Sequence, residues 1–134
     1  MPDNKGTEMN ELREDIIRRY VDAYNHFDVD GMVRDLADTI YFENVSNGET
    51  NLVLDGLDAF RKQAEQMKDV FSKRKQTIRS VAHQGDEVMV EIEYHAVLAT
   101  DLPNGMKRGD ELSLKGKSIF RFERDKIISI RDIS

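Results

Sequence analysis

The sequence predicts an α+β protein, and two observations support that prediction. Apolar residues recur with helical spacing in three segments, near the N-terminus, at about residues 28–37 and at about residues 57–72. Between and after these segments, apolar and polar residues alternate, which is typical of strands with one buried face. The resulting order ααββαββββ places the helices against one face of a sheet.

Three helices are predicted. The first covers residues 8–26, where apolar side chains repeat about every four positions. The second begins after Asp28, whose side chain can cap it, and continues to about Ala37. The third covers residues from about Leu57 to Ser72. Its apolar face comprises Leu57, Phe60, Ala64, Met67 and Phe71.

Six strands are predicted around clear turn signals. Asn47-Gly48 is typical of a two-residue hairpin turn, and Arg124-Asp125 separates the last two alternating segments. The strands cover residues of about 40–45, 50–54, 76–82, 87–99, 111–123 and 126–133.

Charged residues indicate the register between the two longest strands. When residues 87–99 and 111–123 are paired about Asn104, three acidic side chains fall opposite three basic ones, which is favourable across a strand pair. The pairs are Glu87 with Arg121, Glu91 with Lys117, and Glu93 with Lys115. This charged face should point outward. The inward face then carries Val88, Val90, Ile92 and Tyr94 on one strand, and Leu114, Ser118, Phe120 and Phe122 on the other.

The closing hairpin contains the strongest indication of a functional site. Alternation about its turn places Ser118 opposite Asp132, on the same buried face as Leu114, Phe120 and Ile130. A carboxylate directed at an apolar interior is costly unless it is paired, hydrogen-bonded or exposed to a wet cavity. Asp132 is therefore a candidate functional residue. The alternative is a structural role, in which it pairs with an arginine or contacts water near the chain end.

Composition limits the functions that the chain can have. Its 134 residues suffice for one domain with a real core, and it contains no cysteine for disulfides or a thiolate zinc site. A net charge of −6 and a pI of about 5.1 argue against nucleic-acid binding. Its three histidines are too scattered to suggest a metal site. We therefore expect no metal and no cofactor.

The N-terminal sequence and the hydropathy indicate where the protein is located and how its domain is bounded. Residues 1–9 are polar and lack the apolar block of a signal peptide, and no segment approaches a membrane span. We expect a soluble, cytoplasmic protein that does not associate with membranes. Residues 1–8 are expected to form a disordered tail, and residues 9–134 a single domain.

Two strings in the sequence match a known superfamily. The first is Arg19-Tyr20-Val21-x-Ala23-x-Asn25-x-x-Asp28-x-Asp30-Gly31, and the second is Phe120-Arg121-Phe122 followed by Asp125-Lys126-Ile127-Ile128. Together they resemble the opening and the closing hairpin of ketosteroid isomerases and SnoaL-like polyketide cyclases, which belong to the nuclear transport factor 2 superfamily. The resemblance covers about residues 12–133. It implies a cone-shaped, strongly curved mixed sheet wrapped around about three helices, a cystatin-like architecture with an open-ended pocket.

The resemblance also implies an assembly. Such domains commonly form homodimers through the outer sheet face. In this chain the expected interface is the part of that face around His95, Ile119 and Arg121. His95 alternates with Tyr94 and should therefore point outward.

Compared with the ketosteroid isomerases, the chain keeps one of three site groups. The position of their oxyanion-binding tyrosine is Tyr20, which is retained. Their general-base aspartate corresponds to Asn44, and their second oxyanion donor corresponds to Ser118. An amide cannot abstract a proton, so the resemblance does not predict a true ketosteroid isomerase.

Compared with the SnoaL-like cyclases, the chain keeps the acid–base position. Their aspartate on the final strand corresponds to Asp132, and the position across the hairpin, often histidine there, is Ser118. One hypothesis is therefore a cofactor-independent isomerase or cyclase, with Asp132 as acid–base and Tyr20 and Asn44 as oxyanion donors. The alternative is a noncatalytic binding domain for an apolar small molecule, or a dimeric scaffold. The residues expected to line the pocket are Tyr24, Phe42, Asn44, Tyr94, Ser118, Phe120 and Ile130.

Overall fold

The computed structural model describes residues 4–134 as three helices and one six-stranded, curved, open sheet, which confirms the predicted α+β class. The helices are α1 (Asn4–Asn25), α2 (Val29–Val33) and α3 (Leu57–Met67). The strands are β1 (Leu36–Ser46), β2 (Glu49–Asp55), β3 (Phe71–Gln84), β4 (Glu87–Leu98), β5 (Glu111–Glu123) and β6 (Lys126–Ile133).

The first helix starts earlier than the sequence predicted. Residues 4–8, expected in a disordered tail, belong to α1. Residues 4–8 contain no proline, which a helix interior would exclude. Their one glycine, Gly6, costs a helix only about 1 kcal/mol relative to alanine. The rest of the expected tail, residues 1–3, lies outside the described residues. None of the helices described over residues 4–134 is long and apolar enough to cross a membrane.

The other two helices end sooner than predicted. Asp28 caps α2 as expected, accepting a 3.0 Å hydrogen bond from the Gly31 amide, but the helix ends at Val33. Helix α3 ends at Met67, so Phe71 begins β3 and does not belong to the helix face. In both places β-branched and turn-forming residues follow the helix, and strand pairing outweighs a weak helical preference.

The strand order is β2-β1-β6-β5-β4-β3, and the pairing of β1 with β6 is parallel while all other pairs are antiparallel. The register predicted from charge is confirmed: Glu87, Glu91 and Glu93 face Arg121, Lys117 and Lys115. Ser118 faces Asp132, also as predicted. Register shifts interrupt four of the five strand pairs, and such irregularities bend strands and increase their twist.

The hydrophobic core fills one end of the curved sheet. It is formed by inward residues of β1, β4, β5 and β6, by one face of α1, and by residues of α2 and α3. Its most deeply buried side chains are Ile16, Ile17, Ile40, Val88, Val90, Phe120, Phe122, Ile127 and Ile130. Leu114 does not belong to it, contrary to the prediction, because β5 extends past the covered part of the sheet and leaves this side chain 47% exposed.

Polar contacts attach α1 to the sheet and its turns at two places. Near the middle of the helix, the buried Arg13 donates to the Arg124 carbonyl and to the Asp86 carboxylate, each at 3.2 Å. At the end of the helix, the Asn25 side-chain nitrogen donates to the Gln76 backbone carbonyl (3.1 Å), and the Asn25 side-chain oxygen accepts from the Gln76 backbone N–H (2.7 Å). These bonds use backbone groups that β3, an edge strand, would otherwise leave unpaired. These attachments hold the apolar face of α1 against the inner face of the sheet.

Candidate functional site

A row of three polar side chains crosses the sheet at the edge of the core. Asp132 on β6 pairs with Ser118 on β5 and, through the parallel pairing, with Asn44 on β1. Directly paired residues in a sheet point to the same face. The row is therefore an inward-facing polar strip assembled from three strands.

Within the described part of the chain, Asp132 has one hydrogen-bond partner and no cation beside it. The Ser118 hydroxyl donates to its Oδ1 at 2.6 Å. Among the side chains that the structure describes, no lysine, arginine or histidine lies within ion-pair distance of this carboxylate. Burial raises the pKa of the Asp132 carboxyl to about 6, and the hydrogen bond from Ser118 opposes that rise.

Two adjoining cavities meet at this carboxylate. One, of about 280 Å³, extends toward α1 and α3, and the other, of about 230 Å³, extends toward the free ends of β5 and β6. Both are lined by Tyr24, Asn44, Met67, Gln76 and Asp132. The walls of the larger cavity are mainly apolar, with Tyr20, Met32, Phe42, Leu52, Leu54, Phe60 and Ala64 contributing.

Tyr20 reaches the larger cavity from α1. Its ring packs edge-on against Phe120 and is tilted against Phe60, with centroid distances of 5.7 and 6.5 Å. Burial, with a further contribution from the charge of Asp132, raises the pKa of the Tyr20 hydroxyl well above its ordinary value, and Arg74 opposes the rise. The hydroxyl therefore keeps its proton and can serve as a hydrogen-bond donor.

Asn44 lies in the cavity wall, but its amide nitrogen is already used. It donates to Asn51 Oδ1 at 2.9 Å and to Ser46 Oγ at 3.3 Å. An amide group has two N–H donors, so these bonds occupy both. The expectation that Asn44 donates to a ligand oxygen is not supported by this arrangement. Its side chain instead braces β1 against β2 beside Asp132.

Tyr24 and Tyr94 form a hydroxyl pair at the junction of the cavities. Their oxygens are 2.9 Å apart, and their ring centroids are 6.2 Å apart. Burial is the largest cause of the raised pKa of both tyrosines, so both hydroxyls stay protonated. The hydrogen bond between the two hydroxyls therefore joins α1 to β4. The hydroxyl that accepts this bond keeps its own O–H, which can donate to a ligand.

Three polar side chains of the larger cavity are not among the residues that the sequence predicts for the pocket: Gln63, Arg74 and Gln76. The sequence pattern predicts a helix at Gln63 and the start of a strand at Gln76, and neither pattern indicates a cavity. Arg74 falls between the predicted third helix and the predicted strand from residue 76, but in the structure it belongs to β3 and is only 5% exposed. Because its neighbours Lys73 and Lys75 are also basic, its burial leaves no signal in the local sequence.

Two residues expected in the pocket lie beneath it instead. Phe120 and Ile130 are essentially inaccessible to solvent and line neither cavity. Strand alternation correctly predicts that both side chains point inward. It does not predict whether an inward position lies in the packed core or in the wall of a cavity. The other expected residues, Tyr24, Phe42, Asn44, Tyr94 and Ser118, do line one or both cavities.

The site therefore combines a carboxylate with a near-neutral pKa and protonated tyrosines in an apolar enclosure. This combination suits proton transfer on an organic molecule with an apolar skeleton. In the part of the chain that the structure describes, no three histidine, aspartate or glutamate side chains are grouped so that they could hold a metal ion.

The fold and its cavity define a class of small α+β pocket domains, and comparison with known proteins identifies the family. Residues 17–130 match the family model described as a SnoaL-like domain. The chain therefore belongs to the SnoaL-like domain family, as the resemblance predicted. The curated proteins give no match to the sequence.

Solved structures share the fold at low sequence identity. A candidate polyketide cyclase from Xanthomonas campestris pv. campestris is 23% identical, with a TM-score of 0.76 over 92% of this chain and 90% of that one. A candidate SnoaL-like polyketide cyclase from Jannaschia sp. CCS1 is 13% identical, with a TM-score of 0.74 over 91% and 84%. An LEH-like epoxide hydrolase from M. tuberculosis is 16% identical, with a TM-score of 0.74 over 94% and 84%. These similarities show the fold alone.

Proposed function

We propose that this protein binds an apolar small molecule carrying a carbonyl group and moves a proton on the carbon next to that carbonyl. Asp132 is the acid–base in this proposal, and no cofactor takes part. The observation that carries the proposal is the state of Asp132: it lines both cavities, and among the described residues its one hydrogen-bond partner is the Ser118 hydroxyl and no cation lies within ion-pair distance of it. A structural carboxylate would normally be paired at such a position.

The proposed reaction is a proton transfer in two steps. The Asp132 carboxylate takes a proton from the carbon, and the C–H electron pair moves into the carbonyl to form an enolate. The Tyr20 hydroxyl donates a hydrogen bond to the enolate oxygen, where negative charge develops. Protonated Asp132 then returns the proton to a conjugated carbon, which completes an isomerisation. In a ring closure, the enolate carbon instead attacks a second carbonyl of the same molecule, and Asp132 gives the proton to the alkoxide that forms.

A deuterium-exchange experiment tests this function without knowledge of the natural substrate. The probe is 2-tetralone, an apolar ketone with exchangeable α-hydrogens, incubated with the protein in D₂O and followed by NMR. We expect exchange above the buffer rate, rising with pH and half-maximal near pH 6, because Asp132 must be ionised to act as the base. Exchange at the buffer rate at every pH would favour the noncatalytic binding domain.

We further propose a homodimer formed through the outer sheet face. Met89 is paired with Ile119 there, and Val97 lies further along the same sheet, so apolar area is available among the charged pairs. A stable interface of this kind buries roughly 800 Å² per partner. Light scattering at micromolar concentration should give twice the 15.5 kDa chain mass, and Ile119→Lys should give the chain mass alone. A wild-type species of 15.5 kDa would contradict the dimer.

A further inference from the structure

Arg74 is a buried cation that faces the larger cavity. It is 5% exposed, and it lines this cavity together with Tyr20, Tyr24 and Asp132. A buried guanidinium keeps its charge at all physiological pH values, so its environment must compensate the charge or a ligand must.

The protein compensates Arg74 only in part. Its Nε donates to the Tyr24 carbonyl at 2.7 Å, and its Nη2 lies 3.9 Å from the Met32 sulfur, a weak acceptor. Even with the further interaction between the guanidinium and the Tyr24 side chain, these contacts leave part of the five N–H donors unused. No described aspartate or glutamate lies within ion-pair distance of Arg74, and Asp132 approaches the same cavity from a strand that is not adjacent to β3.

The guanidinium is nevertheless held firmly in one orientation. It stacks on the Tyr24 ring at 3.8 Å and on the Phe27 ring at 4.4 Å, each measured from the guanidinium carbon to the ring centroid. Stacking on two aromatic rings fixes the plane of the group and favours its burial. The remaining N–H donors are therefore preorganised in a largely apolar cavity.

The geometry points to Arg74 as the anchor for an anionic group of the ligand, so that the ligand is an apolar skeleton bearing a carboxylate. A guanidinium fork matches the two oxygens of a carboxylate, and such bonds are strong in an apolar enclosure. The inference rests on the proposed function and extends it. Anchoring the anion at Arg74 leaves the rest of the skeleton to extend between Tyr20 and Asp132, which line the same cavity.

Matched pairs of ligands that differ only in charge test the anchor. The probes are benzoate, 2-naphthoate and 4-biphenylcarboxylate, each compared with its neutral amide by isothermal titration calorimetry at pH 7.5. We expect at least one acid to bind wild-type protein about tenfold or more tightly than its amide, since hydrogen bonds to charged groups are about twice as strong as neutral ones. Arg74→Met should lose that preference, and Arg74→Lys should keep part of it.

Arg79→Met is the matched control. Arg79 is on the same strand, but its side chain is 57% exposed and is paired with Glu93 at 2.6 Å. This variant should keep the full preference for the acid. Should Arg74→Met fail to fold, the wild-type acid-to-amide ratio still decides, together with the NMR shift of the Arg74 Nε–H signal on addition of the acid.

The outcomes separate the two proposals. Equal affinity for acid and amide, or a preference that persists in folded Arg74→Met, would overturn the anchor and leave the pocket in place. Binding of none of the six compounds would overturn the anchor and the small-molecule pocket together.

Discussion

Asp132→Asn should lower the rate of 2-tetralone exchange by about 10² to 10⁴-fold, the usual effect of removing a general base. The substitution nearly preserves the shape of the side chain, and its amide oxygen can still accept the hydrogen bond that Ser118 donates. What it removes is the group that takes the proton. A loss of this size with the fold intact would therefore assign the chemistry to this carboxylate.

The same substitution should raise the free energy of unfolding at neutral pH. The ordinary pKa of an aspartate is 3.8, and in the folded protein it rises to about 6. As pH rises, the unfolded chain loses its proton first, so the wild-type protein loses stability between about pH 4 and pH 6. Below that range the carboxyl is protonated in both the folded and the unfolded protein, and its burial does not lower the free energy of unfolding. Above that range the carboxyl is ionised in both, and the free energy of unfolding is lowered by the full amount.

The size of this penalty follows from the pKa difference. At about 1.4 kcal/mol per tenfold change, the rise corresponds to about 3 kcal/mol, and residual contact with cavity water reduces it to about 2 kcal/mol. Asparagine does not ionise, so the variant should gain about 2 kcal/mol over wild type at pH 7 and only a few tenths of a kcal/mol, roughly, at pH 4.

Denaturant unfolding at the two pH values measures the difference, with Asp55→Asn as the control. Asp55 is an exposed aspartate on β2 outside both cavities, and its substitution should change neither exchange nor stability. A large loss of stability for Asp132→Asn at both pH values would instead identify Asp132 as a structural partner. Unchanged exchange would remove it from the proposed mechanism.

Phe120→Ala should destabilise the protein by about 3–5 kcal/mol, the usual range for deleting a buried aromatic ring. Phe120 is 1% exposed and supports the ring of Tyr20 from below the cavity. The deletion therefore leaves a void beneath the proposed oxyanion donor. We expect exchange activity to fall as well, because Tyr20 loses the contact that orients it.

Phe120→Leu is the matched variant for this position. It keeps most of the apolar volume and should cost only about 1.5 kcal/mol. Thermal or denaturant unfolding of the two variants measures both values. A loss below about 1 kcal/mol for Phe120→Ala would show that the core relaxes around the void and that Phe120 does not support the site as described.

The sequence predicted the closing hairpin and its neighbour well because their information is local. Alternation and a short turn set the pairing of Ser118 with Asp132, and opposite charges set the pairing of Glu91 with Lys117. A shift by one residue would reverse both faces of these strands, so the pattern admits few alternatives. Depth was harder to predict, since Leu114 and Phe120 share a face while one is exposed and the other is in the core.

The rest of the site depends on contacts between segments that are distant in the chain. Nothing in the pattern of β1 indicates that Asn44 lies beside Asp132, because a parallel pair has no connecting turn from which its register can be deduced. Arg74 is hidden for a related reason. It becomes a cavity residue only when the end of α1 packs over β3 and presents Tyr24 and Phe27 to it.

The parallel ladder between β1 and β6 also has a consequence for the order of folding. It joins segments 88 residues apart, as in the contact between Ser46 and Ser134. Closing so long a loop is entropically slow, whereas the β5–β6 hairpin closes over only a few residues. The hairpin can therefore bring Ser118 to Asp132 early. Asn44 on β1 joins them only when β1 pairs with β6 and the two halves of the sheet join. We expect binding competence to appear in the slowest refolding phase, together with the final closure of the sheet.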